Sequence, residues 1–229
     1  MLILFDIDHT LLASPRSGPD GLTAAGRELY GDTFKIEAVD FAGRIDPLIL
    51  GDALESNGQP RSDLPRYREA FIRHFEPLAR DRTHALDGAA QLIEAVKVEG
   101  VTSGLLTGNF EETGRMKLAA AGFDADAFPV RVWGDSSPHD PPAREHLPPV
   151  AMQLHAKISG RTIPSEDVVV IGDTPHDVSC ALANGCRVLA VATGRTSAAD
   201  LAACGAHEVV EDLTETERIL EWLMRPSAT

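Results

Sequence analysis

Acidic residues come directly after two of the most apolar runs in this sequence. Asp6 and Asp8 follow the run LILF, and Asp173 and Asp177 follow the run VVVI. Continuous apolar runs of this kind are typical of strands that are buried on both faces of a parallel sheet. Carboxylates gathered at one edge of such a sheet raise each other's pKa unless a cation lies among them. Carboxylate and carbonyl oxygens are the ligands that a hard cation prefers, so the sequence predicts a Mg²⁺ site.

A third apolar run is followed by neutral polar groups. The stretch VTSGLL at 101–106 predicts another strand, and Thr107, Gly108 and Asn109 come directly after it. Because the carboxyl ends of parallel strands meet at the same edge of a sheet, we expect these groups to lie beside the four aspartates.

Strand-like runs alternate with helical patterns along most of the chain. Weaker strands are predicted at 129–133, 187–192 and 207–210. Helices are predicted from apolar spacing and from residues typical of helix ends, at 87–100, 111–123, 148–160, 176–185, 197–205 and 214–225. This alternation predicts an α/β fold, a Rossmann-like open parallel sheet with helices on both faces.

Residues 14–85 interrupt the alternation. This stretch opens with a segment rich in Pro, Gly and Ser, contains no strong strand pattern, and continues with three helical patterns at 21–32, 46–58 and 64–80. We therefore predict a core domain formed by 1–13 and 86–229, with a small α-helical domain, 14–85, inserted after the first strand.

Charge and composition exclude several classes of function. The formal net charge of -14 argues against binding to a nucleic-acid backbone, which requires clustered Lys and Arg. No apolar stretch approaches the roughly 18 residues that span a bilayer, and no signal peptide is evident. The three cysteines lack metal-site spacing, and neither GxGxxG after the first strand nor GxxxxGK[ST] occurs. We expect a cytoplasmic protein, monomeric or homodimeric.

The motifs DIDHT, TGN and GDTPHD, in this order, resemble those of the haloacid dehalogenase-like hydrolase superfamily. The resemblance covers nearly the whole chain, because the helical insertion lies where that superfamily carries its helical cap. It implies that Asp6 is a nucleophile that forms an aspartyl-phosphate and that Asp8 is the general acid and base. It also implies that Thr107 binds a transferring phosphoryl oxygen, with Gly108 and Asn109 beside it in substrate binding.

The resemblance further implies the ligands of the metal. Asp6, the backbone carbonyl of Asp8, and Asp173 would hold Mg²⁺, while Asp177 would act through water or as an anchor behind the ligands. An acid two residues after the nucleophile is absent from the dehalogenating members, since a halide leaves without protonation. The presence of Asp8 therefore indicates the phosphatase branch, similar to the phosphoglycolate phosphatases and beta-phosphoglucomutases.

Three positions depart from the superfamily pattern or remain open. Arg144 takes the place of a Lys that usually precedes the last motif, although it could also be an ordinary residue at a helix start. His9 replaces the usual Gly after the second aspartate. Arg44, in the segment FAGRIDPLIL, is a candidate for substrate contact, and the alternative is a surface Arg before a helix capped by Asp46.

The resemblance therefore implies a Mg²⁺-dependent phosphatase that hydrolyses a small phosphate monoester through Asp6, with a small phosphorylated metabolite as its partner. A sugar phosphomutase that uses the same phospho-aspartate is the alternative within the same chemistry. A non-enzymatic receiver domain that carries a phospho-aspartate, or a degenerate domain that only binds ligand, is a third hypothesis. The spacing of Asp6 and Asp8 and the helical insertion count against a receiver.

Overall fold

The apolar runs of the sequence form one six-stranded sheet in the computed structural model, which describes residues 1–226. The strands of this sheet are β1 (Leu2–Phe5), β4 (Thr102–Leu106), β5 (Val130–Val132), β6 (Val168–Gly172), β7 (Arg187–Val191) and β8 (Glu208–Val210). Their order is β5-β4-β1-β6-β7-β8, and every neighbouring pair is parallel. The strand that carries Asp6 and Asp8 at its end is therefore flanked on both sides within the sheet.

Helices cover both faces of the sheet because both faces are apolar. In β1, Leu2 and Leu4 face one hydrophobic core and Ile3 and Phe5 face the other, as the alternation of side chains along a strand requires. The first core is closed by α6 (Leu147–Ser159), α7 (Pro175–Ala183) and α8 (Ala198–Ala203), and the second by α4 (Ala89–Val98), α5 (Glu111–Ala120) and α9 (Thr216–Met224). The predicted fold class is confirmed.

The register of the strands fixes the level of the site. Phe5 lies opposite Leu105 of β4 and opposite Ile171 of β6. The residues that follow these positions, Asp6 among them, leave the sheet at one edge. The pairing of β1, β4 and β6 alone therefore brings the segments that follow these three strands to the same edge of the sheet.

The helical insertion packs around its own aromatic core. Its helices are α1 (Ser17–Tyr30), α2 (Asp46–Ser56) and α3 (Leu64–Arg82). Tyr67, Phe71 and Phe75 of α3 are buried, and the Tyr67 hydroxyl donates a hydrogen bond to the Leu22 carbonyl oxygen at 3.0 Å. A hydrophobic cluster of its own is what a separate domain requires. The boundaries of the inserted domain, residues 14 and 85, stay a prediction.

A short antiparallel ribbon, absent from the sequence prediction, lies where the insertion leaves and rejoins the core. It pairs β2 (Leu12–Ala13) with β3 (His84–Ala85). Strands of two residues carry no readable periodicity, so the sequence gives no signal for them. Among residues 1–226, no helix is long and apolar enough to cross a membrane.

The central position of β1 makes its side chains sensitive to truncation. Leu4 is fully buried in the first core, so Leu4→Ala should lower the free energy of unfolding by about 2–5 kcal/mol through lost contacts and a cavity. Urea unfolding followed by circular dichroism measures this loss. Val98→Ala is the control, since Val98 is 75% exposed, and it should change stability by less than about 0.5 kcal/mol. Equal effects of the two changes would contradict the burial assigned to Leu4.

Candidate active site

Three buried carboxylates meet at the carboxyl edge of the sheet. Asp6 follows β1, Asp173 follows β6, and Asp177 lies in the first turn of α7. Each offers an oxygen within 4.8 Å of the others, and none of the three residues is more than 5% exposed. The structure therefore brings together the acids that the sequence predicted to meet.

The electrostatic environment of these acids favours a bound cation. Burial, followed by the charges of Asp177 and Asp6, raises the pKa of Asp173 to about 9. Burial also raises the pKa of Asp6 to about 7, although the Arg144 guanidinium acts in the opposite direction. A hard cation bound among these carboxylates would stabilise their ionised forms, and carboxylate oxygens are the ligands that such a cation prefers. The residues present therefore fit Mg²⁺.

Arg144 lies inside this cluster rather than on the surface. It begins a single 3-10 turn before α6 and is 6% exposed. Its Nη2 donates to Asp6 Oδ1 at 2.9 Å and to Asp177 Oδ1, while Nη1 donates to the Gly43 carbonyl oxygen at 3.2 Å. The structure thus places Arg144 against the predicted nucleophile, and its role in catalysis stays a prediction.

Asp177 is held by a local motif at the start of α7. Thr174 is the N-cap residue, and its hydroxyl accepts from the Asp177 amide while Asp177 Oδ2 accepts from the amide and hydroxyl of Thr174. Because Oδ1 accepts from Arg144, both carboxylate oxygens are engaged. This arrangement favours the anchoring role of Asp177 over direct binding of a metal.

Thr107, Asn109 and Asp8 form a second group beside the first. Thr107 Oγ1 accepts from the Asn109 amide at 3.3 Å and from Asn109 Nδ2 at 2.8 Å, and Nδ2 also donates to Asp8 Oδ2 at 2.8 Å. Thr107 and Asn109 are buried, whereas the Asp8 side chain is 36% exposed. The predicted TGN motif therefore contacts Asp8 directly.

Lys117 of α5 completes this second group, and the sequence analysis missed it. Its Nζ donates to Asp8 Oδ2 and to Asn109 Oδ1, each at 2.6 Å. Burial raises the pKa of Asp8, but the opposing charge and hydrogen bonds of Lys117 and Asn109 outweigh it and leave the pKa below its ordinary value. The sequence signal that Lys117 is buried was its position in the helix, because it lies on the same buried face of α5 as Thr113, Gly114 and Leu118.

The turn after Asp8 shows why the superfamily favours glycine at position 9. His9 has a φ of 55°, in the left-handed region that glycine adopts without steric cost. Its amide donates to the Leu12 carbonyl oxygen at 2.7 Å, and its own carbonyl oxygen accepts from the Thr193 hydroxyl. The turn is thus retained with histidine, held by bonds on both sides of the residue.

Arg44 and Asp46 lie where the insertion crosses the site. The Arg44 side chain pairs with Asp52 at 2.7 Å and donates to the Asp40 carbonyl oxygen at 3.2 Å, so it is directed into the insertion. A Cβ on Gly108 would lie 2.2 Å from the Arg44 carbonyl oxygen, which shows how closely the two backbones approach. Substrate contact by Arg44 and Gly108 stays a prediction.

Asp46 does not cap its own helix, the role that it has in the alternative interpretation of Arg44 as a surface residue. It is the first residue of α2, and Ile45 occupies the N-cap position. Its Oδ2 instead accepts from the Phe110 amide at 2.8 Å and from the Thr113 hydroxyl at 3.3 Å, while its own amide donates to the Gly108 carbonyl oxygen at 2.7 Å. Asp46 therefore joins the insertion to the start of α5 in the core.

Comparison with known proteins places this site in a family. The model of the haloacid dehalogenase-like hydrolases matches residues 3–182, a range that includes every aspartate of the site. The chain belongs to this family. It is therefore an enzyme, a hydrolase, and its aspartates lie in the matched region.

Relatives and solved structures of similar size support the assignment. This hydrolase is 27% identical to a phosphoglycolate phosphatase of Nitrosospira multiformis, over 96% of this chain and 95% of the relative. It is 26% identical to a phosphoglycolate phosphatase of Rhodospirillum rubrum, over 98% of this chain and 91% of the relative. The crystal structure of a predicted phosphatase from Clostridium acetobutylicum matches with a TM-score of 0.72 at 20% identity, covering 96% of this chain and 98% of that chain.

Removal of the buried guanidinium should damage both stability and turnover. Arg144→Met leaves Asp6 and Asp177 buried without their shared cation, which should cost about 3–5 kcal/mol of unfolding free energy. Arg144→Lys restores the charge but not the three simultaneous contacts, so it should recover part of the stability and less of the activity. Thermal unfolding and phosphatase assays measure the two quantities. Wild-type activity in Arg144→Met would show that the guanidinium has no part in catalysis.

The carboxyl of Asp46 should make stability depend on pH. Burial raises its pKa from 3.8 to about 6, with nearby Lys117 opposing the shift. The folded protein thus binds this proton more tightly than the unfolded chain, and the contribution of Asp46 to stability falls as pH rises through that window. Asp46→Asn keeps an acceptor that does not titrate, so its stability relative to wild type should rise by roughly 1–2 kcal/mol between pH 4 and pH 7.

Urea unfolding at several pH values measures this difference for Asp46. Asp32→Asn is the matched control, because it makes the same change at an exposed position. A constant difference for Asp46→Asn would show that this carboxyl is not perturbed.

Proposed function

We propose that this hydrolase is a Mg²⁺-dependent phosphatase that hydrolyses small phosphate monoesters through an aspartyl-phosphate on Asp6. The observation that carries the proposal is the position of Asp6. It lies between the acids that fit a cation and the Arg144 guanidinium, with Asp8 two residues further along the chain. A nucleophile that must approach an anionic phosphoryl group requires positive charge of this kind around it.

The first chemical step uses both acids that follow β1. An oxygen of Asp6 attacks phosphorus and forms a P–O bond, and the bond from phosphorus to the ester oxygen breaks. The electron pair of that bond stays on the leaving oxygen, which takes a proton from Asp8. Against the effect of burial, Lys117 keeps the pKa of Asp8 below its ordinary value in the free enzyme, so Asp8 takes up this proton when the anionic ester binds beside it and raises that pKa. Arg144 donates to Oδ1 of Asp6 at 2.9 Å, which orients the carboxylate and leaves Oδ2 for the attack.

The second step releases the phosphate. Asp8, now a carboxylate, accepts a proton from a water molecule as the water oxygen attacks phosphorus. The bond between phosphorus and Asp6 breaks, and the electron pair returns to the Asp6 carboxylate. Asp8 thus acts first as an acid and then as a base, and each turnover restores both groups.

Polar groups around Asp6 are arranged to hold the phosphoryl oxygens. Among the described residues, Thr107 Oγ1 accepts two hydrogen bonds from Asn109 and donates none, so its proton is available to a phosphoryl oxygen. Asp6, Asp173 and the backbone carbonyl of Asp8 would hold Mg²⁺, with Asp177 behind them. Bound there, the ion supplies charge that stabilises the equatorial oxygens of the transferring group.

The substrate class is supported by the relatives and by the insertion. The curated relatives that match over most of the chain are named phosphoglycolate phosphatases, which act on a small phosphate monoester. The insertion contacts the site through Gly43, whose carbonyl oxygen accepts from Arg144. A small cap at this distance favours a small metabolite over a macromolecule as substrate.

Hydrolysis of p-nitrophenyl phosphate tests the mechanism. We expect turnover that requires Mg²⁺, stops with EDTA and falls by about 10³-fold or more in Asp6→Asn, which cannot form the phospho-aspartate. Asp32→Asn, an exposed aspartate, is the control and should retain full activity. Activity that survives Asp6→Asn would refute the proposal.

A panel of phosphorylated metabolites, including phosphoglycolate, then identifies the substrate. Release of inorganic phosphate from one small monoester with the highest kcat/KM would support the phosphatase. Isomerisation of a sugar monophosphate that depends on a bisphosphate primer would instead indicate the phosphomutase alternative.

A further inference from the structure

Lys117 is a buried cation beside the predicted general acid. It lies on α5, outside the three motifs that carry the family resemblance, and is 7% exposed. Its Nζ contacts Asp8 Oδ2 and Asn109 Oδ1, each at 2.6 Å, and lies 5.6 Å from the ring centroid of Phe75 in the insertion. Burial of an ammonium group costs several kcal/mol unless its partners compensate, and both hydrogen-bond partners here belong to the site.

The contacts of Asp8 are distributed unequally between its two oxygens. Oδ2 accepts from Lys117 Nζ at 2.6 Å and from Asn109 Nδ2 at 2.8 Å. Among residues 1–226, no donor reaches Oδ1 within hydrogen-bond distance. Two donors on one oxygen restrain the carboxyl group, and the other oxygen of this partly exposed side chain is left without a donor among the described residues.

Asn109 is itself fixed by the same group of residues. Its Nδ2 donates to Thr107 Oγ1 at 2.8 Å, and its Oδ1 accepts from Lys117 at 2.6 Å. Lys117 therefore contacts Asp8 both directly and through Asn109. Loss of the ammonium would release both restraints on Asp8 at once.

We propose that Lys117 is a positioning residue that, with Asn109, holds Asp8 Oδ2 and so presents Asp8 Oδ1 to the leaving oxygen of the ester. This inference rests on the proposed function. The proton of the carboxyl group passes from Oδ1 to the ester oxygen as the bond to phosphorus breaks, and Oδ2 keeps its bonds to Lys117 and Asn109. Lys117 gives up no proton in either step.

A positioning role predicts that the effect of Lys117 depends on the leaving group. An alkoxide needs a proton from Asp8 as it leaves, whereas p-nitrophenolate is stable without one. Misplacement of Asp8 should therefore slow formation of the aspartyl-phosphate from an alkyl phosphate far more than from p-nitrophenyl phosphate. The second step, in which Asp8 is the base, is common to both substrates. A residue that only supports the fold, or that only binds the phosphoryl group, would affect the two substrates equally.

The experiment compares wild type with Lys117→Met on two substrates in the presence of Mg²⁺. The probes are p-nitrophenyl phosphate and the alkyl phosphate, from a panel including glycerol phosphate and phosphoglycolate, that wild type hydrolyses fastest. For the alkyl phosphate, kcat/KM, which reports the steps up to departure of the leaving group, should fall by about 10²-fold, and for p-nitrophenyl phosphate by less than about 10-fold. Lys97→Met, which removes a lysine whose side chain is 73% exposed, is the control and should change neither value.

Two further variants keep the test decisive if Lys117→Met folds poorly. Lys117→Gln keeps an N–H donor, and should lose less alkyl phosphatase activity than the Met variant at equal melting temperature. In Asp8→Asn, where no acid remains to be positioned, addition of Lys117→Met or Lys117→Gln should cause no further loss on the alkyl substrate. Additive losses, or equal losses on the two substrates, would overturn the positioning role.

The outcomes also separate this inference from the proposed function. If wild type hydrolyses neither probe, or if Asp6→Asn stays active, the proposed function fails and the positioning role fails with it. If wild type hydrolyses both probes through Asp6 and the Lys117 variants show no preference for a leaving group, only the role of Lys117 is overturned.

Discussion

The contact between the Arg144 guanidinium and two buried carboxylates is the constraint on which the rest of the site depends. The parallel sheet delivers Asp6 and Asp173 to one edge, and α7 adds Asp177, so like charges accumulate where water is scarce. Arg144 enters this cluster and bonds to Asp6 and Asp177. Its backbone carbonyl oxygen accepts from the Cys180 thiol in α7, which fixes the turn that carries it. Burial of the Arg144 charge costs free energy, but burial of Asp6 and Asp177 without a cation would also cost free energy, so the three charges stabilise one another.

The Arg144 side chain also connects the buried carboxylates to the insertion. Arg144 also donates to the Gly43 carbonyl oxygen, in the segment that leads into α2. Two residues beyond Arg44, Asp46 bonds to the start of α5, whose buried Lys117 reaches Asp8. Asp6 and Asp8 are thus each linked to the insertion, Asp6 through the Arg144 side chain and Asp8 through Lys117 and the start of α5.

Much of this arrangement could be predicted from sequence because its causes are local. Apolar runs that end in Asp6 and Asp173 mark strand ends, and a parallel sheet brings strand ends together whatever else the chain does. Arg144 was found through its place between the motifs. Lys117 was not, because lysine on a helix is usually exposed, and only the fold brings this one to a carboxylate 109 positions away. The helix cap by Asp46, part of the alternative for Arg44, is not formed for a related reason. The Asp46 carboxylate bonds to the start of α5, 64 residues away, rather than to its own helix.

The β2–β3 ribbon has a consequence for how such an enzyme can change over evolution. The chain leaves the core at Ala13 and returns at His84, and these two residues are paired neighbours. The insertion leaves and rejoins the core at two adjacent points, so a change in its length or sequence need not shift the register of the six-stranded sheet. The insertion can therefore change in length and sequence without shifting the strands, as long as the contacts of Gly43 with Arg144 and of Asp46 with α5 are kept.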